Sequence, residues 1–417
     1  MKTNKRSSTK ANLPLHKLSR KQKREKKVLE QVEYSQKGFS YAYKSEKECS
    51  KRTKHAKKIL DKAGMESKTE HIKGIKTTIT ISEQDNEDFL RYLKTKMEEN
   101  GKTKAVFSGK REPNQDAHVS EQSDDAYVFP IKDNAEIQVV NNDEGGVCCF
   151  NKSSGQIVFV LLPRKEVQNL CSGFDVMKYQ LALDRISKCK PPVSGKRGNT
   201  RQLIFEGEAR SNYINIGVAA DRGGKGLRYN IPKEIEGTEW QVTVTKWMTK
   251  VSNVVEKYLP SKILSAFNKA AREVGFNGFE VDGVPMKNSA KNVSKKDKKV
   301  RSRVCLFPAL ALSKNVALTM HDDDDVFFSV AAVYAEDDWN HRKKKLKKEL
   351  EVLKYFTFGC GISVAMRTGD MLIFNAQEQH CISTNTEACG EKEVFTTSHY
   401  CKTNVFGLND NDIIFDE

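Results

Sequence analysis

Asn315–Glu336 reads NVALTMHDDDDVFFSVAAVYAE, in which two β-rich runs, VALTM and VFFSVAAVY, flank one acidic cluster. Side chains alternate across a strand, so if the first run continues into the cluster, His321, Asp323 and Asp325 project to one face. One imidazole and one carboxylate then converge on a point. Further along, Lys354–Asn385 reads KYFTFGCGISVAMRTGDMLIFNAQEQHCISTN. The runs YFTFGCGISVAM, MLIF and HCIS read as three strands, with RTGD as a tight turn and NAQEQ as a short loop. His380 opens the last of them, 59 residues after His321.

Two histidines and one carboxylate form the facial ligand set that leaves positions open on Fe(II) for a bidentate oxoacid and O2. A further Cys or His ligand would close such a site. Taken alone, HDDDD reads as an acidic surface turn and His380 as a histidine satisfied within a sheet. The order of His321-x-Asp323, then Gly369-Asp370-x-Leu372-x-Phe374, then His380 within HCIS resembles the signatures of the Fe(II)/2-oxoglutarate-dependent dioxygenases. The resemblance covers Asn315–Asn404, and Arg201–Gly283 only by general β character. It implies an α+β chain built on a double-stranded β-helix, a cupin-like jelly roll with flanking helices. Iron would sit at the barrel mouth on His321, Asp323 and His380, with 2-oxoglutarate as co-substrate, as in prolyl hydroxylases and DNA-base oxidases.

The same resemblance implies a Lys or Arg for the distal carboxylate of the oxoacid, on the strand after the distal histidine. That strand is EKEVFTTSHYCKTNVF, Glu391–Phe406, where Lys392, Val394, Thr396, Ser398, Tyr400 and Lys402 share one face. Lys392 is favoured, because Gly390-Glu391-Lys392 resembles the G-x-K placement of prolyl-hydroxylase-like members. Lys402 is the other candidate, with Ser398 beside either. Many relatives use Arg here, and this strand has none. Asp325 is read as a residue that orders the site or faces solvent. His341 lies in the basic run WNHRKKKLKKE and His399 on the face opposite Lys392, so neither is taken as a ligand.

Outward from this core, the chain of 417 residues carries 38% apolar and 30% charged residues, wetter than an ordinary globular protein. Residues 1–75 hold 22 Lys and Arg against 8 Asp and Glu, which is +14 of the formal +16. The basic character therefore belongs to an appended segment with KLSRKQKREKK (Lys17–Lys27) and KRTKHAKK (Lys51–Lys58), read as a disordered or helical tail. Such a tail is a nuclear-import signal or a nucleic-acid arm on one reading, and a solvated surface on the other. Residues 76–125 read as a linker region containing a short β run (Thr77–Ile81) and a helix (Asn86–Met97). The dioxygenase-like domain is taken as 126–417, with the metal-binding core at about 315–404.

Within that domain AYVFPI, AEIQVV, GVCCF and QIVFVLL read as consecutive strands, WQVTVTKW from Trp240 as strand-like, and Val254–Val274 as a core-packing helix broken at Pro260. DRGGKG (Asp221–Gly226) lacks the spacing of a phosphate loop and reads as a turn, and Lys287–Arg303 as a basic loop. The 10 Cys include no CxxC pair, and adjacent Cys148-Cys149 do not suit a disulfide framework, so a reducing compartment is expected. No run approaches the ~20 apolar residues of a membrane span. The expectation is an intracellular protein, nuclear in preference to cytoplasmic, whose oligomeric state the sequence leaves open. Its enzymatic reading is oxidation of a C–H bond on a nucleic-acid base or a protein side chain, using O2. The alternative is a non-enzymatic nucleic-acid-associated protein of mobile-element origin, with the barrel as a scaffold.

Overall fold

The computed structural model describes residues 46–65, 72, 75–108, 118–119, 126–130, 138–141, 145–170, 176–189, 203–204, 213–220, 227–274, 279–280, 284–285, 306–318, 320–335, 351–357, 361–384 and 393–407. Thirteen strands make its two main sheets: β1 Thr77–Ile81, β2 Gln138–Val140, β3 Val147–Asn151, β4 Ile157–Leu162, β5 Ile214–Ala220, β6 Leu227–Asn230, β7 Ala309–Lys314, β8 Phe328–Ala335, β9 Glu351–Thr357, β10 Ile362–Arg367, β11 Met371–Asn375, β12 His380–Thr384 and β13 Val394–Tyr400. The larger sheet runs β1-β3-β4-β11-β8-β13-β7-β5-β6, and the smaller β12-β9-β10-β2. Its central strands β11, β8, β13 and β7 pair antiparallel, as do β12, β9 and β10. Ala317 and His321 lie along β12 through the bridges Ala317↔Ser383 and His321↔His380, supplying a fourth antiparallel line to the smaller sheet beside β12, β9 and β10. Four antiparallel lines facing four others form the double-stranded β-helix that the sequence indicates.

Alternation sorts the side chains of the larger sheet into two cores. On β8, Ala331, Val333 and Ala335 enter the barrel with Leu372, Phe374, Tyr355 and Val364, while Val330, Ala332 and Tyr334 face a helical layer. Cys148 and Cys149 divide the same way, one to each core. The helical layer includes α1 Glu46–Met65, α4 Val176–Ser187, α5 Glu239–Val255 and α6 Ser261–Glu273; α2 Glu83–Glu99 covers the other sheet, and the short α3 is Arg164–Leu170.

Four sequence expectations change. The run YFTFGCGISVAM contains two strands, β9 and β10, paired antiparallel; its largely apolar texture hides the break between them, where Gly361 has φ 63°. VALTM is not a regular strand: β7 ends at Lys314, and Asn315 (φ 47°) turns the chain while its Oδ1 accepts the Val394 N–H at 2.8 Å. WQVTVTKW belongs to helix α5. Its alternating Val and Thr mimic a strand because the helix is buried on nearly every side. The Thr243, Thr245 and Thr249 hydroxyls donate to the carbonyls four residues back, which leaves those hydroxyls satisfied in the core.

The last change concerns the segments read as tail and linker. Ala56, Leu60 and Ala63 of α1 recur at helical spacing and are buried in the main core, with Arg52 donating to the Glu273 carbonyl of α6 at 3.3 Å. Strand β1 pairs parallel with β3, and α2, started by a Ser82/Asp85 capping box, seats Phe89 and Leu93 on Phe356 and Cys381 of the smaller sheet. Lys17–Lys27, Asp221–Gly226, Lys287–Arg303 and His341 lie outside the described residues. No helix among the described residues is long and apolar enough to cross a membrane.

Candidate metal centre

The acidic run is held in extended phase without being a regular strand. The His321 N–H donates to the His380 carbonyl (2.9 Å) and the His380 N–H to the His321 carbonyl (2.8 Å), and the Asp323 N–H donates to the Ala376 carbonyl (2.8 Å). Beyond it, the Val326 N–H donates to the Cys401 carbonyl at 2.7 Å. Residues 321, 323 and 325 therefore face inward, while Asp322 and Asp324 are exposed. A tight turn ends the run: the Phe328 N–H donates to the Val326 carbonyl at 2.9 Å, and Phe327 between them has φ 61°. A buried aromatic in the left-handed region is strained backbone, held here by packing of Val326, Phe327 and Phe328 into one core.

His380 is fixed from three sides. Its Nδ1 lies 2.8 Å from the Glu378 carbonyl, which can only accept, so Nδ1 carries the proton of the neutral ring and Nε2 presents a lone pair. Tyr355 lies nearly parallel to the ring at 5.5 Å between centroids, and Phe374 meets it edge-on at 5.0 Å. Phe374 closes the Gly369-Asp370-x-Leu372-x-Phe374 motif, and the rest of that motif is a structural pin. The Asp370 carboxylate accepts the N–H groups of Arg367 (2.7 Å) and Arg164 (2.9 Å), tying the β10–β11 turn to the start of α3.

These constraints bring the three sequence-nominated ligands together. The His321 and His380 ring centroids are 4.4 Å apart, and Nε2 of each lies 3.9 Å from Asp323 Oδ2. Ligand atoms of the three all fall within 4.8 Å of one another, and among the described residues this is the one group of His, Cys, Asp or Glu that can hold a metal ion. Cis ligands on a first-row ion with bonds of roughly 2.1 Å sit about 3 Å apart, so a modest contraction closes the set. The Asp323 side chain keeps 28% of its surface exposed, and the histidines 8% and 3%, so the site opens to solvent on the carboxylate side.

The candidates for the oxoacid fare differently. Lys392 lies outside the described residues. Ser398 is in register with Ala331 and Ala311 on the barrel-facing side of β13. On the same side, the buried Thr396 hydroxyl, opposite Ser313, has no hydrogen-bond partner among the described residues, which fits a carboxylate-bearing co-substrate. Lys402 is at the metal site itself, its Nζ 3.2 Å from Asp323 Oδ1 and 2.8 Å from Asp325 Oδ1. Burial works against the Lys402 ammonium, but the Asp323 and Asp325 carboxylates outweigh it and hold the amine above its ordinary range. Asp325 is buried and also accepts the Ser329 hydroxyl. His399, on the helical side of β13, is buried against Trp247 and away from the metal group. Of the supports of His380, Phe374 belonged to the Gly-Asp motif while Tyr355 and the Glu378 carbonyl left no signal in the sequence, and Asp325 was marked by its phase alone.

No family model matches the chain, and no curated protein matches it in sequence. Solved structures similar to it include NgTET1 in complex with 5mC DNA, 10% identical with a TM-score of 0.35, covering 66% of this chain and 85% of that one. Another is an oxidoreductase of the 2OG-Fe(II) oxygenase family from Burkholderia pseudomallei, 9% identical with a TM-score of 0.29, covering 59% and 85%. A third is a Pseudomonas putida prolyl-4-hydroxylase, 12% identical with a TM-score of 0.26, covering 59% and 92%. At such values the strand order and the ligand geometry, not the overlays, carry the reading of the site.

Proposed function

We propose that the chain is an Fe(II)/2-oxoglutarate-dependent dioxygenase that oxidises a C–H bond of a macromolecular substrate. The observation that carries this is the convergence of His321 Nε2, Asp323 Oδ2 and His380 Nε2 at one end of a double-stranded β-helix. His321, Asp323 and His380 would hold the ion on one face, leaving the opposite face for oxoacid and O2. Iron so held supplies oxidation of a substrate C–H bond coupled to decarboxylation of 2-oxoglutarate to succinate. The protein's own contribution is orientation: Glu378, Tyr355 and Phe374 fix the His380 ring, and the two-way backbone pairing of His321 with His380 fixes the spacing of the imidazoles. The Thr396 hydroxyl inside the barrel, unpartnered among the described residues, supports a polar ligand there.

A nucleic acid as substrate is supported by α1. Lys51, Lys54, Lys58 and Lys62 are exposed along one side of it. The helix packs on the turn Thr403–Phe406 that follows Lys402, where a Cβ on Gly407 would meet the Thr53 hydroxyl at 2.9 Å. The helix thus carries a lysine stripe suited to phosphates and packs on the turn that follows Lys402. Protein side chains remain the other substrate class.

Anaerobic addition of Fe(II) and then 2-oxoglutarate is expected to give a weak visible charge-transfer band, and air to release succinate without added substrate. His380→Ala should lose both. A His380→Ala protein that kept them would remove the enzymatic reading in favour of a nucleic-acid-associated scaffold.

A further inference from the structure

The two oxygens of Asp323 have different partners. Oδ2 faces both imidazoles at 3.9 Å, while Oδ1 is 3.2 Å from Lys402 Nζ. Lys402 is itself held 2.8 Å from the buried Asp325, which Ser329 anchors from the other side. A line of contacts therefore runs from Ser329 through Asp325 and Lys402 to the outer oxygen of Asp323. Backbone pairing sets it: Asp325 and Lys402 form a bridge, with the Val326 N–H on the Cys401 carbonyl (2.7 Å) and the Thr403 N–H on the Asp324 carbonyl (2.8 Å) to either side.

Resting on the iron reading above, we propose that Lys402 is a positioning residue for the metal: it occupies one oxygen of Asp323 so that the carboxylate ligates through the other alone, and it does not anchor the oxoacid. A chelating carboxylate would take two of six positions and, with two imidazoles, leave two. An oxoacid and O2 together need three. An ammonium has three donors in no fixed plane, so one Lys can serve Asp323 and Asp325 at once. The same pairing argues against the anchoring role. The Lys402 Nζ already faces the Asp323 and Asp325 carboxylates at 3.2 and 2.8 Å, which leaves a single donor for any third group. Partners of metal ligands commonly set metal affinity in this way.

The test uses Co(II) as the metal probe and 2-oxoglutarate as the second ligand, both under exclusion of air. Removing Lys402 alone strands a buried carboxylate, so the variant is Lys402→Met with Asp325→Asn. Its Co(II) affinity is expected to fall by about 10- to 100-fold, while the 2-oxoglutarate Kd of the Co(II)-saturated protein stays unchanged. Unaltered Co(II) affinity, or a weakened 2-oxoglutarate Kd at saturating Co(II), overturns the proposal. Lys402→Gln, whose shorter, neutral amide only partly replaces the ammonium, carries the test if circular dichroism shows the double variant unfolded: its Co(II) affinity is expected to fall, and an affinity equal to that of the native protein then overturns the proposal. Failure of the iron reading looks different: the unaltered protein would bind Co(II) no better than His380→Ala.

Discussion

His399 shows how far one residue's chemistry depends on which side of a strand it takes. It sits one position from the barrel-facing Ser398 and Tyr400, yet its ring is buried, neither nitrogen has a hydrogen-bond partner among the described residues, and Trp247 meets it at 6.5 Å between centroids. Burial drives its pKa down to about 3, against roughly 6.5 in an unfolded chain. Between these values the unfolded chain takes up a proton that the folded one refuses. Stability therefore falls as pH drops from about 6.5 toward 3 and is fully present above that window. Replacing His399 by Leu should raise stability, and by on the order of 2 kcal/mol more at pH 5 than at pH 8, as read from urea unfolding. A gain independent of pH would place the titrating group elsewhere. At this scale the sequence was informative wherever period-two alternation decides: it placed His321, Asp323 and Asp325 together and His399 apart. It did not reveal that Lys402 meets Asp323 and Asp325, because that contact depends on register between segments 77 residues apart.

Among the elements, the seam where β5 meets β7 tolerates least. Gly217 pairs with Ala309, its φ is 109°, and a Cβ there would lie 2.1 Å from the Pro308 carbonyl oxygen and 2.8 Å from the Ala309 Cα. Both obstacles are backbone, so nothing short of strand displacement relieves them. Gly217→Ala should destabilise the protein by about 3 kcal/mol, measured by thermal or denaturant unfolding. A change within error would show that β5 yields. Strands with clear punctuation, such as β3 and β4, were legible in the sequence. The β9–β10 pair and α5 were not, for opposite reasons: the pair lacks polar punctuation, and the Val and Thr of the helix satisfy a strand's pattern while the Thr hydroxyls return to the helix backbone.

For the molecule as a whole, the uneven charge was plain from composition, whereas the folding of part of it into the body was not. Ala56, Ile59, Leu60 and Ala63 mark the apolar side of α1, and they are sparse among lysines. Changing Lys51, Lys54, Lys58 and Lys62 together to Gln should leave the fold intact, since all four are exposed. If the stripe contacts duplex DNA, the slope of log K against log salt should shrink by up to about 0.9 per lysine, by fluorescence anisotropy across a salt series. An unaltered slope would take the stripe out of the interface. The aspartate run carries one more implication. Repeats of a single residue are where coding sequences gain and lose length, and a loss of one aspartate here would leave the His-x-Asp pattern untouched. The next inward position would then be Val instead of Asp325, and Lys402 would be left without its buried counterion. If Lys402 positions the metal ligand as proposed, such an allele would pass inspection by motif and lose metal affinity, which makes the length of the run, not its composition, the inherited specification of the site.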